Sequence, residues 1–199
     1  MQSSVPIQLS IVLPAKNEAA AIGATVEKIH AQLALMGLQA VAEVLVVNDG
    51  STDDTAAVAQ AAGARLVHHP YSKGNGAAIK TGARAAQGEV LVFMDADGQH
   101  DPADIPRLLD KLAQGYDMVV GARQRGSQAS VGRGLANRFY NWFASYMTGH
   151  KIEDLTSGFR AVRADKFREF LYLLPNGFSY PTTSTMAFFR AGYSVAYVP

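Results

Sequence analysis

Val90-Leu91-Val92-Phe93-Met94-Asp95-Ala96-Asp97-Gly98-Gln99-His100 is an apolar run that stops at two carboxylates spaced i, i+2, with an amide and an imidazole just beyond. A short run of β-branched and large apolar residues predicts a strand buried on both faces. Acidic groups at the carboxyl end of such a strand stand where open α/β sheets place their ligands. Two carboxylates this close repel each other unless a cation or protons intervene. Oxygen ligands of this kind suit Mg²⁺ or Mn²⁺ shared with a substrate diphosphate. A helix start accounts for Asp101 as N-cap and Pro102 at the first position, but it leaves Asp95 and Asp97 unexplained. The stretch predicts a metal–diphosphate site at the end of a central strand.

On either side of this stretch strands and helices alternate. Ile7–Leu13 reads as an apolar strand ending at Pro14. In Glu18–Met36, Ile22, Val26, Ile29, Leu33 and Met36 fall on one helical face. Glu43–Asn48 is the second strand, followed by a helix from about Asp54 to Ala62 and a short strand, Arg65–His68. Gly74-Asn75-Gly76 opens a helix through Gln87, Glu89–Met94 is the next strand, Ala103–Gln114 is helical, and Asp117–Gly121 returns to strand. The order βαβαβαβαβ predicts an α/β fold with a mainly parallel central sheet and helices on both faces.

After residue 122 the composition changes. Gly121–Gly134 holds four glycines with Arg123, Arg125 and Arg133 and reads as a mobile basic loop. Leu135–Thr148 carries Phe139, Tyr140, Trp142, Phe143 and Tyr146 and is expected to be helical. Such a stretch is either core or, beside a basic loop, a contact with a lipid headgroup region. Then come a short element at Gly158–Val162, helices from about Ala164 and from Tyr180 to Ala191, and a strand at Tyr193–Val198. Pro199 follows that strand with nothing to close it, so the chain is expected to continue beyond it.

Over its 199 residues the chain is 48% hydrophobic and 18% charged with a net charge of +1, which is globular and argues against disorder. A charge so near zero gives no case for nucleic acid; an anion site must be local. With no cysteine there is neither disulfide nor thiolate metal site. Met1–Val5 lacks the pattern of a signal peptide, and no apolar stretch reaches the roughly 20 residues that span a bilayer.

Four further clusters fall in loops and at a helix start. Pro14-Ala15-Lys16-Asn17-Glu18 reads either as an ordinary βα loop with Asn17 as N-cap or as part of a ligand crevice. Asn48-Asp49-Gly50-Ser51 reads as a turn with Gly50 at φ > 0 and Ser51 or Asp53 as cap. Yet Asp49 and Glu18 share the sheet edge with Asp95 and Asp97, and carboxylates there suit ribose hydroxyls or base N–H groups. Gly74–Thr81 lacks the glycine that a phosphate loop needs before its Lys-Ser/Thr, since Ile79 stands there; its glycines read as a tight helix start, with Lys73 in reach of a phosphate. In Glu153–Arg160, Asp154 or Thr156 caps a turn and Arg160 pairs at the surface, or one carboxylate serves as general base. His68, His69 and His100 have no metal-ligand spacing and read as loop residues.

With these residues in hand, the chain resembles glycosyltransferase family 2, and within it the polyprenol-phosphate glycosyltransferases of the dolichol-phosphate mannose synthase type. The likeness rests on IVLPAKNEA, VLVVNDGSTDDT, KGNGAAIKTG, GEVLVFMDADGQHDP, MVVGAR and DLTSGFRAVR, in that order. It implies a GT-A, Rossmann-like three-layer α/β sandwich in a single domain over 1–199. Residues 1–122 would be the nucleotide-sugar-binding half and 123–199 the acceptor half. Pro14, Lys16, Glu18, Val47 and Asp49 would cradle the nucleoside, with Lys16 standing where the family often has an aromatic. Asp95 and Ala96 would touch the donor, while Asp97 and Gln99 would hold Mg²⁺ or Mn²⁺ against the diphosphate. Arg123 would face a phosphate of donor or acceptor and Arg133 the lipid phosphate, with Asp154, Thr156 and Ser157 bordering the acceptor pocket. The implied activity is metal-dependent, inverting transfer of a sugar from GDP-mannose or a UDP-hexose to a polyprenyl phosphate, with catalysis carried by Asp97, Arg123 and Asp154. The implied place is the cytoplasmic face of a membrane, as a peripheral protein in cell-envelope biogenesis. Two rivals are a hydroxyl acceptor with Asp154 as general base and a catalytically silent nucleotide-sugar-binding module. A nucleotidyltransferase would need a Gly- and Arg-rich loop after the first strand, where this chain has PAKNEA.

Overall fold

Seven strands make one sheet in the order β3-β2-β1-β4-β6-β5-β7 in a computed structural model that describes residues 6–122, 145 and 152–199. They are β1 (Leu9–Ala15), β2 (Ala42–Asp49), β3 (Arg65–His69), β4 (Val90–Phe93), β5 (Met118–Gly121), β6 (Arg160–Arg163) and β7 (Val195–Val198). The expectations for Arg123, Arg133 and the aromatic residues of 139–146 lie outside the described residues. β1 pairs in parallel with β2, from Leu9↔Ala42 to Ala15↔Asn48, and with β4, from Leu9↔Val90 to Val12↔Phe93. The carboxyl ends of β1 and β2, which carry Pro14 and Asp49, and of β4, which leads to Asp95, therefore finish along one edge.

Helices cover both faces. α1 (Ile22–Leu35), α2 (Thr55–Ala61) and α4 (Ile105–Ala113) bury Ile22, Val26, Ile29, Leu33, Ala59, Leu108 and Leu112 against Ile11, Leu13, Val46 and Val92. α3 (Asn75–Ala85), α5 (Ala164–Arg168) and α6 (Tyr180–Arg190) bury Ala78, Ile79, Phe167 and Phe188 against Val12, Leu45, Val47, Leu91 and Phe93. Ile11 and Val12 face opposite helices although they are neighbours. This is why β1, β2 and β4 read as unbroken apolar runs rather than as alternating ones.

The fold is the three-layer α/β sandwich with a mainly parallel sheet that the element order predicts, with three differences in detail. First, β6 is antiparallel to both neighbours, pairing Phe93↔Arg160 with β4 and Val120↔Arg160 with β5. It separates strands that a simple βαβ reading would set side by side, and four residues carry no pattern that reveals strand direction. Second, α1 begins at Ile22 rather than Glu18. The amides of Glu18 and Ala19 are bound to Thr55 Oγ1 and Asp53 Oδ2, which holds this segment out of the helix. Third, His69 lies on β3 and is buried, not in a loop.

Candidate active site at the carboxyl edge of the sheet

The loops after β1 and β2 are laced together by side chains. The Asn17 amide donates to Ser51 Oγ at 3.0 Å, and Asn17 Oδ1 accepts from the Thr52 amide at 2.8 Å. Asn17 has φ 57°, so it sits in the left-handed region that asparagine tolerates better than most residues. It bridges two loops rather than capping α1. Asp53 accepts from the Thr55 amide and hydroxyl through Oδ1 and from the Ala19 amide through Oδ2. The Ser-Thr-Asp-Asp-Thr segment thus fixes the backbone on both sides of Glu18. Burial raises the Glu18 pKa above its ordinary 4.5, and the like charges of Asp97, Asp53 and Asp95 push in the same direction.

Asp49 closes β2 in a different way. It is 3% exposed and accepts four bonds: from His69 Nδ1 at 2.6 Å, Ser72 Oγ at 2.8 Å, the Lys73 amide at 2.8 Å and the Gly74 amide at 2.9 Å. Burial acts to raise its pKa, but the bonds from His69, Lys73, Gly74 and Ser72 outweigh it and hold the carboxyl at about 2. Gly50 follows with φ 66°, and a Cβ there would lie 2.5 Å from the Ser72 nitrogen. The turn expected at Asp49-Gly50 is present, and it grips the loop before α3.

That loop explains the Gly74-Asn75-Gly76 signature. A Cβ on Gly74 would stand 2.4 Å from the Asn176 carbonyl oxygen, and one on Gly76 would stand 2.1 Å from that of Pro175. The Gly76 and Ala77 amides donate to the carbonyls of Gly177 and Asn176, both at 3.1 Å. The first turn of α3 is therefore occupied by backbone from the far end of the chain, not held open for a phosphate. Lys80 Nζ secures the same segment through the Leu174 carbonyl at 2.9 Å and Asn176 Oδ1 at 2.6 Å.

A cleft of about 810 Å³ opens along this edge. Pro14, Lys16, Glu18, Asp49, Asp95, Ala96, Asp97 and Thr156, all expected site residues, line it. Its far wall, from Gly177 to Thr182 together with Gly158, was not foreseen from the sequence. The signal available for that wall was the Pro175-Asn176-Gly177 turn running directly into an aromatic. Val47 is not part of the lining: its side chain is fully buried in the core beneath α3. Ser157 and Asp154 also stand behind the surface. Ser157 Oγ donates to the Gly121 carbonyl at 2.6 Å, while Asp154 Oδ1 accepts from the Thr156 amide, its hydroxyl and the Ser157 amide.

At the end of β4, Asp95 is half-exposed. Its Oδ2 lies 3.2 Å from His100 Nε2, and the His100 ring stacks on Phe159 with centroids 5.1 Å apart. Asp97 is exposed, as is Gln99, whose amide donates to Asp97 Oδ1 at 3.0 Å. Asp101 accepts from the Ala103 amide as the cap of a short 3₁₀ turn, Pro102–Asp104, that leads into α4. Among the described residues no cluster of three or more His, Cys, Asp or Glu side chains forms a protein-only metal cage. Mg²⁺ and Mn²⁺ sites commonly use one or two carboxylates and take the remaining oxygens from substrate phosphate and water. Asp95, Asp97 and Glu18 line the cleft together and supply oxygens of the kind such an ion uses, whereas Gln99 is not among the lining residues.

Arg160 corrects the expectation of a surface pair. It is fully buried, and its Nη1 donates to the Pro181 carbonyl at 3.1 Å, Ser184 Oγ at 2.9 Å and Thr185 Oγ1 at 3.2 Å. Its Nη2 donates to the Ser157 carbonyl. Desolvation lowers its pKa below the usual arginine value. The residue ties β6 and the Ser157-Gly158 turn to the start of α6, and Tyr180 completes the tie by donating to the Gly158 carbonyl at 3.1 Å.

Fold and cleft together define the class: a three-layer α/β sandwich whose strand ends present carboxylates to a nucleotide-sized cleft, the arrangement of GT-A glycosyltransferases. The sequence profile described as Glycosyl transferase family 2 matches residues 10–171, and the chain belongs to that family. It is 34% identical to an undecaprenyl-phosphate 4-deoxy-4-formamido-L-arabinose transferase of Pseudomonas aeruginosa, an alignment covering 87% of this chain and 55% of that protein. It is 29% identical to the glycosyltransferase AglJ of Haloferax volcanii, over 98% of this chain and 62% of the relative. The chain thus spans a little over half the length of these curated relatives. Glucosyl-3-phosphoglycerate synthase of Mycobacterium tuberculosis, crystallised with Mn²⁺, UDP and glucosyl-3-phosphoglycerate, superposes with a TM-score of 0.75 at 26% identity, covering 96% of this chain and 69% of that one. Among the described residues no helix is long and apolar enough to cross a membrane.

Proposed function

We propose that the chain is the catalytic part of a metal-dependent, inverting glycosyltransferase that moves a hexose from a nucleotide-sugar to a polyprenyl phosphate at a membrane surface. The observation that carries this reading is the junction of Asp95, Asp97 and Glu18. Three carboxylates line the strand-end cleft together there, and Glu18 is raised by burial and further by the like charges of Asp97, Asp53 and Asp95. A divalent ion with a nucleoside diphosphate relieves that crowding and supplies both missing charge and missing ligands. In this reading Pro14, Lys16 and Glu18 hold the nucleoside. Asp49 shapes the same end of the cleft by ordering the loop beneath it. Asp97 and Gln99 hold the ion, which when bound neutralises charge developing on the departing diphosphate.

The acceptor side supports a phosphate over a hydroxyl. Asp154 is buried and accepts three bonds from its own turn, so it shapes the turn that presents Thr156 rather than standing ready for a substrate proton. A phosphate acceptor is ionised at neutral pH and needs no base. Its oxygen attacks the anomeric carbon as the bond to the nucleoside diphosphate breaks, and the bonding pair leaves with the diphosphate. Holding the two in line supplies much of the rate. Arg123 and Arg133 are the proposed phosphate contacts, since a guanidinium fork binds phosphate bidentately. The relatives named for undecaprenyl phosphate support the same acceptor class.

The test is transfer from a panel of UDP- and GDP-hexoses, with Mn²⁺, to a prenyl phosphate or to a saccharide hydroxyl. EDTA-sensitive transfer to the prenyl phosphate that survives Asp154→Asn is the expected result. Transfer only to the hydroxyl, lost in Asp154→Asn, would establish the rival acceptor. Donor binding without any transfer would establish a silent binding module.

A further inference from the structure

Of the five large hydrophobic side chains that are exposed among the described residues, only Phe178 lines the cleft. It is 83% exposed, so its ring stands out from the wall at the mouth instead of filling the interior. The rest of the lining is mainly polar or small, a surface suited to a nucleoside, a diphosphate and a sugar. A ring so placed on the cleft lining offers one apolar contact to a ligand that extends out of the cleft.

The ring is also held in place. Gly177, just before it, is bound through its carbonyl to the Gly76 amide, and Asn176 is bound to Ala77 and to Lys80. Two residues after it, Tyr180 is buried and donates to the Gly158 carbonyl, and a Cβ on Gly158 would lie 3.3 Å from Asp95 Oδ2. Phe178 therefore lies on the cleft wall between the start of α3 and the Gly158 turn beside Asp95. Residues 74–80 and 174–177 are about a hundred positions apart, yet their contacts amount to a pre-formed mount for one aromatic side chain. A mount of this kind reduces the ordering that an apolar ligand would otherwise have to impose.

We infer that Phe178 is the contact for the apolar part of the acceptor, the first isoprene units beyond the phosphate, and that the Gly74-Asn75-Gly76 and Lys80 docking exists to present it. The inference rests on the proposed lipid-phosphate acceptor and adds to it the residue that distinguishes a prenyl chain from a small phosphate. An acceptor whose phosphate stands in line with the donor sugar in the cleft carries its hydrocarbon out past the wall, where Phe178 offers an apolar contact.

The experiment measures binding of farnesyl phosphate and isopropyl phosphate to the 199-residue chain by calorimetry, with UDP and Mn²⁺ present. Phe178→Ala should weaken farnesyl phosphate about tenfold and isopropyl phosphate less than about twofold, consistent with loss of one large apolar contact. Phe178→Leu should recover most of the difference, because area rather than aromaticity carries the contact. Lys80→Met should reproduce a smaller share of the loss with UDP binding unchanged. Equal weakening of both phosphates, no change for farnesyl phosphate, or rescue by Phe178→Tyr but not Phe178→Leu overturns the inference. If the unaltered chain binds isopropyl phosphate as tightly as farnesyl phosphate, the lipid acceptor itself fails and the inference with it. If farnesyl phosphate is preferred and Phe178→Ala leaves that preference intact, the inference alone fails.

Discussion

Asp49 and Asp97 close neighbouring regions of the same sheet edge, each just past a buried apolar strand, yet they have opposite surroundings. Asp49 is almost wholly out of solvent and answers four donors from its own chain. Asp97 is exposed and meets the Gln99 amide. The difference separates a carboxylate that builds the cleft from one that is available to a ligand. Acid-rich sequence at a strand end does not by itself say which of the two it is; the supply of nearby donors does.

The largest effect that would break this comparison is on stability. Asp49→Ala leaves a buried imidazole, a hydroxyl and two amides without their acceptor, and should destabilise the fold by about 4 kcal/mol. Calorimetric melting should show a fall of roughly 10 °C for a chain of this size. A shift of a degree or two would mean that Asp49 is as free as Asp97. Asp97→Ala should do the converse. It should weaken Mn²⁺-dependent binding of UDP more than about a hundredfold, exceeding what loss of an outer-shell partner costs, while stability stays within about 0.5 kcal/mol. Isothermal titration with and without EDTA decides it, and equal affinity in both proteins removes the metal assignment.

A third effect depends on pH. The Asp49 carboxyl lies at about 2 in the folded protein against 3.8 ordinarily. Its contribution is complete above about pH 5 and disappears as the pH falls through 3.8 towards 2. That amounts to about 2 kcal/mol of stability. Denaturant unfolding at pH 5 and pH 2.5 should show this loss in the unaltered chain and not in Asp49→Asn. The smallest effect sharpens the β4 end alone. Gln99→Ala removes a neutral ligand and should weaken Mn²⁺–UDP binding only about tenfold. A loss as large as that of Asp97→Ala would show that charge is not what distinguishes the two ligands.

Much of this was legible in the sequence because the sheet writes itself as unbroken apolar runs, and because glycine and proline mark the turns. Ile22, Val26, Ile29 and Leu33 fell on the buried face of α1 as their spacing requires. Asp101 caps as expected. What could not be read was pairing over long separations. Nothing local to Arg160 says that Pro181, Ser184 and Thr185 will surround it, so a residue read as surface is among the most buried in the chain. The same holds for Asn17, whose cap-like type is used across a gap of 35 residues to Thr52. Lys80 reaches Asn176 across 96. Periodicity reports which face a residue takes, not which distant loop will meet it.

The antiparallel strand β6 has a consequence for how the chain is made. β4 and β5 are complete when synthesis reaches residue 121, but the strand that joins them ends at residue 163 and the strand beside β5 at residue 198. A nascent chain carrying residues 1–122 therefore exposes one open edge on β4 and leaves β5 with no neighbour. Open edges are templates for unwanted strand addition, and chains in that condition are prone to aggregation. The strands up to residue 121 are thus translated first, but β4 and β5 are joined only by residues 160–163, so on the ribosome the early strands should depend on chaperones until β6 has emerged.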